Sequence, residues 1–385
     1  MSARFHMFTA LAVSALVALT IILGYISFSR MWEYDLIIPG PGVTEVKWLS
    51  DYFPPLKGTL GDSRVFFLDS GRPGATVSIT AGIHPDEHAT MAGLVMVERA
   101  RPRTGRLIVI PQCNNSAYTH SFPQEATPQF IHLRDAEGGV RKIRGGARGT
   151  NSIHFWPDPE VFIHYFTGQK LSGEEVRNIN RAFPGRPEGT FTERVAYAIT
   201  RMVLQEKVDL NIDLHEAWPE YPFINAMGVH EKNADLGTIA ALDLNMQGVD
   251  IRLEMSPPKF RGLTYRELGD HTPAWTVLLE TPNPTSGRIR GITDEKLIIE
   301  GRDAFYVRAA QLGRTFVPFD ERGWPLSVRV ARHLASLQAL MAAYTELNPD
   351  KPISVDDIPD YEEACRTPVG ELLNPASQAA KGGGL

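Results

Sequence analysis

Cysteine is nearly absent from this chain: Cys113 and Cys365 are the two in 385 residues. Two thiols so far apart exclude a disulfide scaffold and a CxxC metal site. Cys113 closely follows the apolar run Leu107, Ile108, Val109, Ile110, so it reads as a buried free thiol in preference to half of a bridge. Excess positive charge is missing as well, the formal net charge being -6. A chain with no broad cationic field cannot neutralise a phosphate backbone, and no nucleic acid is expected as a partner. Internal repeats are lacking too. With 43% hydrophobic and 22% charged residues the chain has ample core material, which excludes disorder as a whole and leaves small or peptide substrates.

Charge is also absent from Met7 to Phe28, and about 20 such residues are what a helix needs to cross a hydrocarbon core. Arg4 and the amino terminus precede the run, whereas Arg30 is soon offset by Glu33 and Asp35, so the N-terminus is expected in the cytoplasm and the bulk of the chain outside, in the periplasm if the source is bacterial. A cleaved signal peptide is the competing reading. The run is longer than a usual signal core and no small-x-small site follows Phe28, which favours an uncleaved anchor over residues 1–30.

Residues 31–44 are rich in Pro and Gly and read as a linker, with the folded domain expected over 45–348. Short β-branched and apolar runs at 65–68, 76–80, 106–110, 208–214 and 276–279 predict buried strands. Helices are predicted over 88–99, 303–312 and 326–347, and Thr190 with Glu193 forms a capping box ahead of Val195, Ile199, Met202 and Val203. The alternation implies an α/β fold, a mixed and mainly parallel sheet with helices on both faces and ligands beyond the carboxyl ends of its strands. Two segments stand apart. An insertion at 120–176, containing Phe122, Phe130, Phe155, Trp156, Phe162, Tyr165 and Phe166, is expected to wall the site. Residues 349–385, acidic, Pro-rich and ending in glycines, are expected to form a flexible tail.

The chemistry concentrates at Thr80-Ala-Gly-Ile-His84-Pro-Asp-Glu87, where an apolar strand runs into a small-residue turn with His84 and Glu87 three positions apart. An imidazole and a carboxylate suit zinc, and a catalytic site takes three protein ligands and keeps a position for water. His215 is the natural third, because alternation along Asn211-Ile-Asp-Leu-His215 turns Asn211, Asp213 and His215 to one face at a strand end. His88, His120, His154, His164, His230 and His271 lack such placement. Asp86 and Asp213 are candidates to fix a histidine tautomer, against a reading of both as solvated carboxylates. Glu280 closes the apolar run Trp275-Thr-Val-Leu-Leu and is placed to act as a general base that is not itself a ligand.

Gly82-Ile-His84-Pro-Asp-Glu87, Asn178-Ile-Asn180-Arg181-Ala-Phe-Pro-Gly185, Ile212-Asp-Leu-His215 and Leu279-Glu280 stand in the order found in the succinylglutamate desuccinylase/aspartoacylase family, relatives of the zinc carboxypeptidases, and the chain resembles that family over roughly residues 60–290. The resemblance implies a zinc-peptidase fold, one Zn2+ ion on His84, Glu87 and His215, and an N-acyl amino acid or peptide substrate whose carboxylate meets Asn180 and Arg181. It implies also an arginine that polarises the scissile carbonyl, Arg148 or Arg177, with Arg148 preferred, and a substrate-binding tyrosine for which Tyr265 is the candidate. Beyond Glu280 the chain reads helical, so the C-terminal β-rich piece of aspartoacylases has no evident counterpart, and the N-terminal anchor is unlike the soluble desuccinylases. The expected function is a zinc-dependent amide hydrolase. A membrane-tethered binding protein keeping the fold without turnover is the alternative, and every residue the chemistry needs is present against it.

Overall fold

The computed structural model describes residues 3–121 and 127–381; Phe122 and the terminal glycines lie outside them. Two units are distinguished, residues 1–35 and 36–385. The first is dominated by helix α1 (Ala3–Ser29). The stretch Phe5–Trp32 is long and apolar enough to cross a membrane.

The second unit is built on an eight-stranded sheet, whose strands in chain order are β1 (Val43–Trp48), β2 (Arg64–Asp69), β3 (Thr76–Ala81), β4 (Arg106–Ile110), β5 (Leu210–Ala217), β6 (Ala226–Val229), β7 (Arg252–Met255) and β8 (Trp275–Pro282). Their spatial order is β1-β2-β4-β3-β5-β8-β6-β7. The centre, β4-β3-β5-β8, is parallel throughout, and antiparallel pairings occur only toward the flanks. Although β3 and β5 alternate polar and apolar residues, both are buried at every position, their polar side chains pairing with one another: Asn211 Nδ2 donates to Ser78 Oγ at 2.8 Å and Thr80 Oγ1 to Asp213 Oδ1 at 2.9 Å.

Helices cover both faces. Against one pack α2 (Thr90–Arg99), α4 (Ala234–Met246) and, after the short α6 (Glu295–Glu300) and α7 (Ala304–Gln311), the long α8 (Leu326–Leu347); against the other packs α3 (Phe191–Gln205), with α5 (Thr264–His271) contributing Leu268. Helix α3 starts where the sequence predicts, the Thr190 side chain accepting from Glu193 N at 3.2 Å and Glu193 Oε2 accepting from Thr190 N at 2.7 Å.

Two expectations are corrected. The linker expected at 31–44 is part of the body from Leu36 onward: Ile37 and Ile38 are buried, and β1 begins at Val43. The tail expected at 349–385 is packed as far as it is described. Ser354–Asp356 pairs with Arg101–Thr104, α9 (Tyr361–Arg366) lies on α8, and Val369, Leu372 and Leu373 join the main core. Asn374 then docks on a buried ion pair, its N–H donating to Glu98 Oε2 (2.6 Å) and its carbonyl accepting from Arg141 Nη1 (2.6 Å), while Arg141 Nη2 donates to Glu98 Oε1 at 2.8 Å. Acidic, Pro-rich composition concealed enough apolar side chains to repay ordering the segment.

Candidate metal and substrate site

Parallel strands that end together bring side chains from distant sequence to one edge. Register pairs His215 of β5 with Glu280 of β8, and Leu214 with Ala81, the last residue of β3. The chain leaves β3 through Gly82 at φ +66°, where a Cβ would lie 2.4 Å from the Tyr118 hydroxyl, so only glycine passes. A short 3-10 turn, Pro85–Glu87, follows and ends on His88 in the left-handed region, φ 60°, a strained choice for a non-glycine residue of the kind that gathers at functional sites.

That turn returns Glu87 toward His84 and β5. Glu87 Oε1 lies 2.7 Å from His84 Nδ1, and Glu87 Oε2 lies 2.8 Å from His215 Nδ1, both pairs almost fully buried. Donor atoms of the three residues fall within 4.8 Å of one another, so His84, Glu87 and His215 could hold one metal ion. The outer ring nitrogens are engaged: His84 Nε2 with Asn178 Oδ1 at 2.8 Å, and His215 Nε2 with Asp213 Oδ2 at 2.9 Å. A carbonyl or carboxylate there fixes the NH tautomer and turns the Nδ1 lone pair inward. Asp213 thus fills the orienting place suggested by the sequence, and Thr80 Oγ1 donates to its other oxygen at 2.9 Å. Asp86 is buried in the turn and offers its backbone carbonyl to Asn283. Asn178 was not foreseen, although it opens the same block as Asn180 and Arg181.

Electrostatics follow from burial. Burial and the Arg148 charge lower the His84 imidazole to about 4, leaving it neutral. Burial opposes charge on His215 too, but Asp213 and Glu87 outweigh it and raise its pKa well above the usual range. Glu87 resists burial through His84 and His215 and is held well below the usual carboxylate range. For Glu280 the balance goes the other way: burial, then the Glu87 charge, push its pKa well up against the pull of His215 and Arg148, and its Oε2 has no hydrogen-bond partner among the described residues.

His84 and Glu280 line a cavity of about 350 Å³ with Arg148, Glu175, Asn180, Arg181, Tyr221 and Tyr265. Both Arg148 and Glu175 come from the insertion, which therefore does wall the site. Arg148 Nη1 donates to Glu87 Oε1 at 2.8 Å, whereas Arg177 is turned to Asp158, its Nη2 donating at 2.8 Å. Asn180 Oδ1 accepts from Thr264 N (2.8 Å) and Oγ1 (3.0 Å), leaving its amide NH2 as the donor for a ligand. Arg181 sits over Phe260, 4.6 Å from the ring centroid, with Glu175 Oε2 3.7 Å from its Nε. Tyr265 is buried in the cavity wall beside Leu263 and Leu278, and burial pushes its phenol up to about 12. Tyr221, missed in the sequence, reaches the cavity from the loop that follows β5; burial, then Glu280, raise its pKa. Its signal was position, a few residues past His215 on the same strand exit. A second grouping, His230, Glu231 and Asp270, surrounds the Arg266 guanidinium, which donates to Glu231 Oε1 at 2.9 Å and fills the place of a cation.

No family model matches the chain. Among curated proteins, N-alpha-acetyl-L-2,4-diaminobutyric acid deacetylase of Halomonas elongata is 26% identical over 145 residues, 37% of this chain and 28% of that protein. Structural neighbours include a succinylglutamate desuccinylase from a Silicibacter species (19% identity, 59% of this chain and 55% of that one, TM-score 0.34). They include also a metallo-carboxypeptidase from Burkholderia cenocepacia (13% identity, 84% and 68%, TM-score 0.44) and the carboxypeptidase A of Helicoverpa armigera (11% identity, 80% and 70%, TM-score 0.47). The chain thus spans about a quarter of the length of the curated relative and about half that of the desuccinylase, and its similarities run to desuccinylase/aspartoacylase-family proteins and metallocarboxypeptidases.

Proposed function

We propose that this chain is a zinc-dependent hydrolase that cleaves an amide bond next to a carboxylate-bearing amino acid, as an N-acyl amino acid deacylase or in the manner of a carboxypeptidase. The observation that carries it is the convergence of His84, Glu87 and His215 donor atoms within 4.8 Å, beside Glu280 in direct register with His215. The donor set fits the ion, since two imidazole nitrogens with fixed tautomers and one carboxylate are what catalytic zinc takes. Bound there, zinc would supply Lewis acidity and lower the pKa of a water.

The protein's own part is positional and protonic. Asn180 and Arg181 hold the substrate carboxylate, for which a planar guanidinium is suited, and so set the scissile bond at the strand ends. Arg148 faces the carbonyl oxygen as negative charge develops on it. Glu280 takes a proton from the attacking water at its unpartnered Oε2 and passes it to the leaving amine, so that water and amide become carboxylic acid and amine. The N-terminal helix, uncleaved, holds the catalytic body on the outer side of a membrane with the N-terminus in the cytoplasm.

Bound metal and turnover test the proposal together. Metal analysis of purified protein is expected to give one zinc per chain, with a chelator abolishing hydrolysis of N-acetyl amino acids or C-terminal dipeptides and zinc restoring it. Retained hydrolysis by metal-free protein refutes the reading. Arg181→Met is expected to raise KM and lower kcat/KM by about 10- to 100-fold, the worth of a charge-assisted contact, with kcat little changed.

A further inference from the structure

Leu278 and Glu280 fall on one face of β8, so the strand that offers the carboxylate carries an apolar side chain two residues earlier. Opposite Leu278 on β6 stands Gly228. A Cβ there would lie 2.9 Å from Phe223 Cζ and 3.2 Å from Tyr265 Cε2, so its bare backbone makes room for both rings beside Leu278. Pro257, Phe260 and Leu263 continue the lining of the same cavity. Arg181 stands over Phe260, so the proposed carboxylate anchor adjoins the apolar wall.

The wall residues themselves carry no charge, although Arg288, Glu216 and Glu280 line other parts of the same cavity. Glu175, the acidic group near Arg181, already accepts from Asn178 Nδ2 at 2.7 Å. A substrate carboxylate or ammonium pushed among Phe223, Phe260 and Leu278 would lose water and gain no partner, whereas an apolar group buries surface on both sides. Resting on the reading of Arg181 as the carboxylate anchor, we infer that the amino acid on the carboxylate side of the scissile bond has a large apolar or aromatic side chain, packed on Leu278, Phe223 and Phe260. Acidic and diamino acids are then poor ligands, unlike the groups named for the desuccinylase and deacetylase relatives.

Calorimetric titration of the full-length zinc-loaded protein with L-phenylalanine, L-leucine, L-alanine, L-aspartate and L-lysine tests this without turnover. Phenylalanine and leucine are expected to bind about 10- to 100-fold tighter than alanine, the equivalent of burying such a side chain, and aspartate and lysine no tighter than alanine. Phe223→Ala is expected to shrink the phenylalanine-to-alanine ratio several-fold, where a merely structural role would weaken both alike. Aspartate or lysine binding as tightly as phenylalanine, an unchanged ratio, or no binding of phenylalanine at millimolar concentration overturns the inference. Discriminating binding without hydrolysis of any N-acetyl derivative removes the hydrolase reading and keeps this one; hydrolysis without side-chain discrimination does the reverse.

Discussion

Glu280→Gln is expected to lower kcat by about 10²- to 10⁴-fold while the protein keeps its zinc. The change is nearly isosteric and touches none of the three metal-ligand candidates, so metal content separates loss of a base from loss of the site. It is expected to cost no stability: burial and the Glu87 charge both work against ionised Glu280, and a neutral amide removes that repulsion. A base must be deprotonated to act, so kcat/KM is expected to fall along an acidic limb as pH drops through the Glu280 pKa, which burial raises and a bound zinc ion would lower. That limb is expected to vanish in Glu280→Gln. Turnover at the wild-type rate in this variant, measured by single-turnover kinetics, takes Glu280 out of the mechanism.

The second large effect concerns stability. Arg329 on α8 is fully buried, and its Nη1 donates to Glu216 Oε2 at 2.6 Å while Nη2 donates to the Ile298 carbonyl at 2.6 Å. Glu216 follows His215 on β5, and its backbone N–H donates to Glu87 Oε2 at 3.2 Å, so the ion pair lies directly behind the candidate metal site. Truncating one member of such a pair costs about 3–5 kcal/mol, because the other charge stays buried. Here burial raises Glu216 even beside Arg329, and loss of the guanidinium raises it further, so protonation relieves part of the penalty. Arg329→Met is therefore expected near the lower end, about 3 kcal/mol, read as a shift in the urea midpoint at constant m-value. The double change Arg329→Met with Glu216→Leu is expected to recover most of that loss, since two apolar side chains in place of a buried ion pair leave no charge unpaired. An additive double variant contradicts this account.

What was legible in the sequence was local. Thr76–Ala81 announces a buried strand by its own side chains, and the HxxE spacing needs only one turn to close on itself. Arg148 could not be separated from Arg177 by spacing, because the choice depends on Asp158 claiming the latter across the fold. β1 escaped notice since an edge strand, half exposed and bearing Thr44, Glu45 and Lys47, shows no apolar run. The grip of Asn178 on His84 spans 94 positions and leaves no periodic trace. Composition misled at 349–381 because burial there is carried by scattered side chains, Ile353, Ala364, Val369 and Leu372 among them, that join the main core without forming an apolar run.

The docking of Asn374 has a consequence for biosynthesis. Glu98 and Arg141 leave the ribosome long before residue 374, whose backbone and carboxamide complete their bonding and also hold the Ile38 carbonyl at 2.8 Å. Until then that buried charged pair lacks part of its hydrogen bonding, and the nascent body is left with an open seam. Completion of the native state thus waits for residue 374 to emerge, and a ribosome stalled before it carries a body that is still incompletely closed.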